Sequence, residues 1–207
     1  MPLTLVNNTI MLHKLGVLRN SDTPAETFRR LLGELSVQLF FAAADTLAVE
    51  EVEIATPLAT TTASRVSDKL SLVPVMRAGN GMLEAILRVW PQAWVGHVGI
   101  YRDKFLNNTV EYYFKMPAEI GTSTVMLMDP IIATGETAMA SIERLKEVGC
   151  SHIQFLSIVT SRQGMALLEE RHPDVHIFSV TAGEDLTDEG FASPGIGDVG
   201  ARFYNTR

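Results

Sequence analysis

The second half of the chain alternates apolar β-type runs with helical patterns, and this alternation restricts the fold more than any other feature. Residues 123–129 read as a strand and 136–148 as a helix closed by Gly149; residues 152–160 read as a strand, 161–171 as a helix and 175–181 as a strand. Strands separated by helices do not pair as hairpins. They lie side by side in a parallel sheet joined by right-handed crossovers. Upstream, Leu70 to Met76 predicts a further buried strand, and Met82 to Trp90 a helix that stops before Pro91. The expected class is α/β, with a central, mostly parallel sheet flanked by helices.

Two segments break the alternation. Ala93 to Tyr101 and Val110 to Met116 read as strands with only the polar, turn-rich Asp103 to Thr109 between them. They predict a β-hairpin arm over about residues 95–117. Residues 183–207 carry Gly190, Pro194, Gly195, Gly197 and Gly200 with no periodicity. Phe191, Ile196, Phe203 and Tyr204 argue against disorder there, so the tail predicts a surface lid or binding loop. Residues 1–20 mix β-type residues with His13, Lys14 and Arg19. Thr23-Pro24-Ala25-Glu26 spells a capping box with proline at the first helical position. Phe28, Leu31, Leu32, Leu35 and Leu39 follow at helical spacing. Val49 to Ile54 predicts a half-exposed strand with Glu50, Glu51 and Glu53 on a solvated face, Pro57 to Thr62 a loop, and Ala63 to Asp68 a short helix. There is no internal repeat, low-complexity stretch or linker, which predicts one domain over residues 1–207.

Composition narrows the function. A chain of 207 residues, 46% hydrophobic and 20% charged, can bury one sizeable core. A net charge of -7 disfavours nucleic acid or anionic membrane as the main partner. The single cysteine, Cys150, excludes an internal disulfide and cysteine-based zinc or iron–sulfur sites, and it reads as a buried structural thiol. His13, His97, His152, His172 and His176 lack metal-ligand spacing and read as structural, and Trp90 and Trp94 read as core. Met1 to Asn8 has no basic stretch leading into an apolar core, and no run is long and apolar enough to span a bilayer, so the expectation is a cytoplasmic protein.

The candidate chemistry sits at strand ends, where parallel sheets bind ligands. In Val125-Met126-Leu127-Met128-Asp129-Pro130-Ile131-Ile132-Ala133-Thr134-Gly135-Glu136-Thr137-Ala138 an apolar strand ends in a carboxylate, a loop of small and hydroxyl residues follows, and a helix begins. Such a unit aims backbone N–H groups and the positive end of a helix dipole at an anion. Thr134, Gly135 and Thr137 leave room for a phosphate, and Asp129 is placed to hold ribose hydroxyls or a metal-bound ligand. Arg77 closes the strand over Leu70 to Met76. Each residue also has a plain structural alternative: Arg77 as a surface residue, Arg102 as a hairpin ion pair, Asp129 as a helix cap and Asp198 as a turn residue.

The run over 125–138 resembles the phosphoribosyl pyrophosphate (PRPP) loop of type I phosphoribosyltransferases, with the single acid before proline typical of their uracil branch. Other segments are similar to the same branch and follow in its order. They are His13-Lys14-Leu15 with Leu18-Arg19, Glu51-Val52-Glu53-Ile54 with Thr56-Pro57-Leu58, and Val73-Pro74-Val75-Met76-Arg77-Ala78-Gly79. Val95 to Asp103, Glu111-Tyr112-Tyr113 with Lys115-Met116-Pro117, and Pro194-Gly195-Ile196-Gly197-Asp198 complete the set. The resemblance to the uracil phosphoribosyltransferase family spans nearly the whole chain. It implies the type I fold with a hairpin arm and a C-terminal base-recognition loop. It also implies transfer of the 5-phosphoribosyl group from PRPP to uracil, giving UMP and pyrophosphate. Asp129, Arg102 and Asp198 would be catalytic. PRPP would be bound by Arg77, Arg102, Asp129, Pro130, Ile131, Ile132, Ala133, Thr134, Gly135, Glu136, Thr137 and Asp198, and uracil by Ala192, Gly197, Asp198 and Val199. Mg²⁺ would be held mainly by PRPP and water, with no direct protein ligand. A GTP effector and a homodimer or homotetramer follow from the same likeness. This chain departs from the family pattern at Glu136, where a second glycine is usual, and at Asn80, Phe191, Ala192 and Ala201; Leu39 to Asp45 also lacks the usual glutamate and arginine. The small Ala192 is expected to enlarge the base pocket. The alternatives are a transferase for another pyrimidine-like base and a non-catalytic PRPP- or nucleotide-sensing regulator.

Overall fold

The computed structural model describes residues 1–103 and 108–206, with the backbone alone described at 102, 103 and 108. In chain order the elements are β1 (Leu3–Leu5), α1 (Thr9–Arg19), α2 (Ala25–Ala44), β2 (Val49–Ala55), β3 (Thr60–Val66), β4 (Leu70–Pro74) and α3 (Asn80–Val89). There follow β5 (Trp94–Val95), β6 (His97–Asp103), β7 (Asn108–Lys115), a 3₁₀ turn (Ile120–Thr122), β8 (Thr124–Met128), β9 (Ile131–Ile132) and α4 (Glu136–Glu147). The chain ends with β10 (His152–Ser161), α5 (Arg162–Arg171), β11 (His176–Leu186), β12 (Ala192–Ser193) and α6 (Val199–Tyr204).

The main sheet runs β1-β11-β10-β8-β4-β5, all parallel, with β9 beside β10 and β12 antiparallel to β11. Strand periodicity divides its side chains between two faces. Leu72, Met126, Met128, Leu156, Ile158 and Phe178 pack on one face with Phe28, Leu32, Leu35 and Leu39 of α2 and Met82 and Ile86 of α3. Val73, Val125, Leu127, Phe155 and Ile177 pack on the other with Ile142 and Leu145 of α4 and Leu168 of α5. Coverage on both faces explains why these strands read as continuous apolar runs rather than alternating ones. Cys150 is buried in the second cluster.

Three local expectations are corrected. Residues 63–68 do not form a helix: Thr60–Val66 is a strand, paired antiparallel with β2 from Val49↔Val66 to Ala55↔Thr60. Its threonines and serine are exposed, and it takes its form from the partner strand. The capping box is not made. The Thr23 hydroxyl instead donates to the Val17 carbonyl at 2.6 Å, and Pro24 occupies the cap position of α2 with no side-chain hydrogen bond. The N-terminal segment contains a true helix, α1, whose first turn is capped by Asn8 Oδ1 accepting from the amides of Ile10 and Met11 at 3.0 Å each.

The strand expected over Ala93 to Tyr101 is split at Gly96. Its amide donates to Leu72 O at 3.1 Å, holding β5 on the sheet edge, after which β6 leaves to pair with β7. A Cβ at Gly96 would stand 2.4 Å from Met116 Sδ. The hairpin rejoins the sheet through the Val75↔Val98 bridge, and this carries its base to the strand ends. No helix among the described residues is long and apolar enough to cross a membrane.

Candidate active site

Three segments converge at the C-terminal ends of β4 and β8. The first is the turn after β4. Met76 N donates to Val98 O at 2.7 Å and Gly79 N to Val75 O at 2.9 Å, and the Met76–Arg77 peptide is cis. A Cβ at Gly79 would lie 2.5 Å from Met128 O and 2.8 Å from Val75 O, so only glycine lets this turn close over the end of β8. The exposed Arg77 projects from the turn. Its guanidinium carbon lies 5.3 Å from the Tyr204 ring centroid, and its carbonyl accepts from the Tyr204 hydroxyl at 3.0 Å. Here Tyr204 fixes both ends of the arginine.

The second segment follows β8. Asp129 Oδ1 accepts from Ile131 N at 3.3 Å. Burial pushes the Asp129 carboxyl up to about 7, and that single backbone hydrogen bond opposes the shift only weakly. The loop then drops through β9 to Gly135, whose φ of +85° turns the chain into α4. No side chain caps α4, so the first N–H groups of the helix remain directed at the loop. The loop is buttressed by α5. Ser161 Oγ donates to Ala133 O at 2.5 Å and accepts from Gly164 N at 2.9 Å. A Cβ at Gly164 would meet Ala133 O at 2.5 Å.

The third segment is the tail. The expected aperiodic stretch contains β12 and α6. Asp198 Oδ1 accepts from Ala201 N at 2.9 Å, so the residue caps α6 as well as bordering the site. Arg202, buried at 6% exposure, donates to Leu18 O, Ile196 O at 2.8 Å and Asn20 O at 2.6 Å. This anchors the tail to the α1–α2 connection. Sequence reasoning missed Arg202 because its partners are carbonyls, which leave no residue signature.

Together the three segments wall a cleft of about 470 Å³, with Tyr101 of β6 on one side. Arg77, Asp129, Ile131, Ala133, Thr137, Gly197, Asp198 and Val199 all border it. Other expected residues are directed elsewhere. Pro130 is buried and its carbonyl accepts from Ile158 N and Val159 N, while Ile132 is core. These two serve the loop as framework. Gly135 and Glu136 form the bend into α4, and Thr134 precedes them beside Gly190 of the cleft. Ala192 is not a pocket wall: its side chain packs on the core, and its neighbours Gly190 and Phe191 border the cleft. The expected enlargement of a base pocket by Ala192 therefore has no structural counterpart, because β12 turns that side chain inward. The side chain of Arg102 lies outside the described residues.

A cation in this cleft would meet two carboxyl groups, Asp129 and Asp198. No group of three or more acidic, histidine or cysteine side chains placed to hold a metal ion forms among the described residues. That donor set suits a hard cation whose coordination is supplied mostly by ligand oxygens and water.

Known proteins similar to this chain match it along nearly its whole length. The family model described as uracil phosphoribosyltransferase matches residues 5–206. The chain is 39% identical over 204 residues to the uracil phosphoribosyltransferase of Variovorax paradoxus, covering 98% of each. It is 41% identical over 205 residues to that of Rhodococcus opacus, again covering 98% of each. The solved structure of the AQ2163 protein from Aquifex aeolicus superposes with a TM-score of 0.92 at 30% identity, over 99% of this chain and 98% of that one. A hypoxanthine-guanine phosphoribosyltransferase from Bacillus anthracis shares the fold, with a TM-score of 0.51 at 10% identity over 77% of this chain and 80% of that one.

Proposed function

The chain belongs to the uracil phosphoribosyltransferase family, and we propose that the cleft between the Arg77 turn, the Asp129 loop and the tail performs that reaction with the residues named here. The enzyme transfers the 5-phosphoribosyl group of PRPP to uracil, releasing pyrophosphate and forming UMP. The observation that carries the assignment of roles is the meeting of Arg77, Asp129 and Asp198 around one cleft.

The donor has three parts to hold. Its 5′-phosphate suits the uncapped start of α4, where backbone N–H groups and the helix dipole favour an anion. Its pyrophosphate suits the guanidinium of Arg77, a planar fork matched to phosphate oxygens, with Arg102 as the second arm. Its ribose hydroxyls suit the Asp129 carboxylate, which also faces the positive charge that develops on the sugar as the C1–O bond breaks. Asp198 approaches the donor from the tail. Asp129 and Asp198 would be the carboxyl groups nearest a bound Mg²⁺, which would supply charge neutralisation at the donor. Uracil presents an alternating N–H and C=O edge, which the backbone of Gly197, Asp198 and Val199 can match. Most of the rate then comes from holding the base nitrogen in line with C1.

Cytoplasmic residence, a homodimer or homotetramer, and regulation by GTP extend the same reading. Ile10 at 66% exposure, Leu12 at 49% and Phe41 at 52% supply apolar surface for a second copy.

The defining experiment supplies PRPP, Mg²⁺ and a panel of bases and follows released pyrophosphate. Uracil should support turnover, and cytosine should be slower by about 10⁴, because a site built to pair N–H and C=O groups rejects a base with the wrong edge. Absence of pyrophosphate with every base would overturn the reading. The phosphate cradle can be tested separately. Gly164→Ala forces a methyl against Ala133 O, where 2.5 Å is available. It should cost about 1–3 kcal/mol of stability as overpacking. It should also raise the PRPP KM about tenfold through a displaced cradle, a change of about 1.4 kcal/mol. An unaltered PRPP KM would detach α5 from the cradle.

A further inference from the structure

The base-recognition loop has little regular structure, and Gly195 within it is held by two charged side chains that do not border the cleft. Gly195 N donates to Glu184 Oε2 at 2.7 Å. Gly195 O accepts from Arg19 Nη1 at 2.8 Å. The remaining oxygen of Glu184, Oε1, pairs directly with Arg19 Nη2. Glu184 is 7% exposed, and its carboxylate is thus satisfied on both oxygens by these partners. Gly195 has a φ of +55°, and a Cβ there would stand 2.0 Å from Ala192 O. The next carbonyl, Ile196 O, is taken by Arg202. The peptides immediately before Gly197, Asp198 and Val199 are therefore gripped from α1, β11 and α6 at once.

We propose that Arg19 and Glu184 are positioning residues for base recognition, acting by clamping Gly195 so that the backbone edge at 197–199 is preset for the incoming base. This rests on the functional reading above. The physical argument is preorganisation. A loop that reads a planar, neutral base through backbone groups has no long side chains to adapt, so its selectivity depends on how narrowly its peptide orientations are set. An ion pair whose carboxylate is buried, with complementary hydrogen bonds to one peptide, is stiff, because removing the half-buried Arg19 strands the buried charge of Glu184. Neither residue borders the cleft, so the pair acts through the base loop and leaves the donor cradle alone.

The test uses the full chain with Arg19→Lys and Glu184→Gln. Lysine keeps the charge but loses the fork, and glutamine keeps an acceptor for Gly195 N but loses the charge. Each variant should raise the uracil KM at least about tenfold and narrow the uracil-to-cytosine ratio, since about 1 Å of misplacement costs on the order of 10²-fold. PRPP affinity measured without base should fall by a clearly smaller factor than the uracil KM rises, because Arg77 and the Asp129 loop are untouched and Asp198 alone among the assigned donor groups lies on the clamped stretch. Amide hydrogen exchange supplies a readout that needs no activity: protection at Gly195 should fall at least about tenfold in Glu184→Gln. An unchanged uracil KM in a folded variant overturns the proposal. So does an equal loss of PRPP affinity, or failure of both variants to fold, since either makes the pair a general support of the fold. If the wild-type protein turns over no base, the functional reading fails, while the exchange data still report on the clamp.

Discussion

Asp129→Asn is expected to make the empty protein more stable and nearly inactive. The carboxyl group is held at about 7 in the fold against an ordinary value of 3.8 because burial disfavours its charge. The native state therefore binds more protons than the unfolded chain between those two values. Stability falls as pH rises through that window, and the deficit is complete above about 7. Three pKa units correspond to about 4 kcal/mol, an upper bound, since the side chain borders an open cleft. About 1–2 kcal/mol is the expected recovery in the uncharged asparagine variant, or a Tm rise of about 3–6 °C at neutral pH. The gain should vanish near pH 4. Activity moves the other way. Loss of the carboxylate facing the ribose should lower kcat/KM by about 10²–10³, the usual effect of removing one preorganised electrostatic group. For the wild type, kcat/KM should climb with pH and level off above about 7, reporting the free enzyme, and the variant should lack this acid limb. Calorimetry across pH and a pH–rate profile check both halves. A destabilised variant, or a flat wild-type profile, would show that Asp129 is not a strained functional carboxylate.

Arg77→Ala should cost a similar factor in catalysis while leaving stability nearly unchanged. The guanidinium is exposed and rests on the Tyr204 ring at 5.3 Å, whereas the structural hydrogen bond from Tyr204 goes to the Arg77 carbonyl, which alanine keeps. The lost ring contact is worth about 0.5–1 kcal/mol at an exposed site. The lost pyrophosphate contact should lower kcat/KM by about 10²–10³, or about 3–4 kcal/mol. The effect should appear mainly in the PRPP KM and less in that of uracil. Arg77→Lys should recover only part, because a point charge cannot replace the bidentate fork. Titration of both substrates, with melting curves alongside, separates the cases; an unchanged PRPP KM removes Arg77 from the donor site.

The parallel sheet and the strand–loop–helix unit around Asp129 were legible because their signals are local. Apolar runs such as Val125 to Met128, buried on both faces, can hardly be anything else, and the acid, small loop and helix start lie within a few residues of one another. Strand β3 was not legible, since Thr60 to Arg65 has no core face and is ordered by pairing with β2. Thr23 read as a cap from its neighbours, but the returning carbonyl of Val17 offered a better partner for its hydroxyl. Ala192 read as a pocket wall from the resemblance to the family, yet in β12, paired with Leu186, its side chain packs on the core.

The order of amino acids was sufficient to establish the α/β class and the family, because periodicity and short motifs are properties of neighbouring residues. It was not sufficient to show that Arg19, Glu184 and Arg202 meet at the base loop. The contacts of Arg19 span 165 and 176 residues, and that of Arg202 with Leu18 spans 184. Partners so far apart along the chain carry no mutual pattern, and they become neighbours only once the sheet has brought α1, β11 and the tail to the same edge.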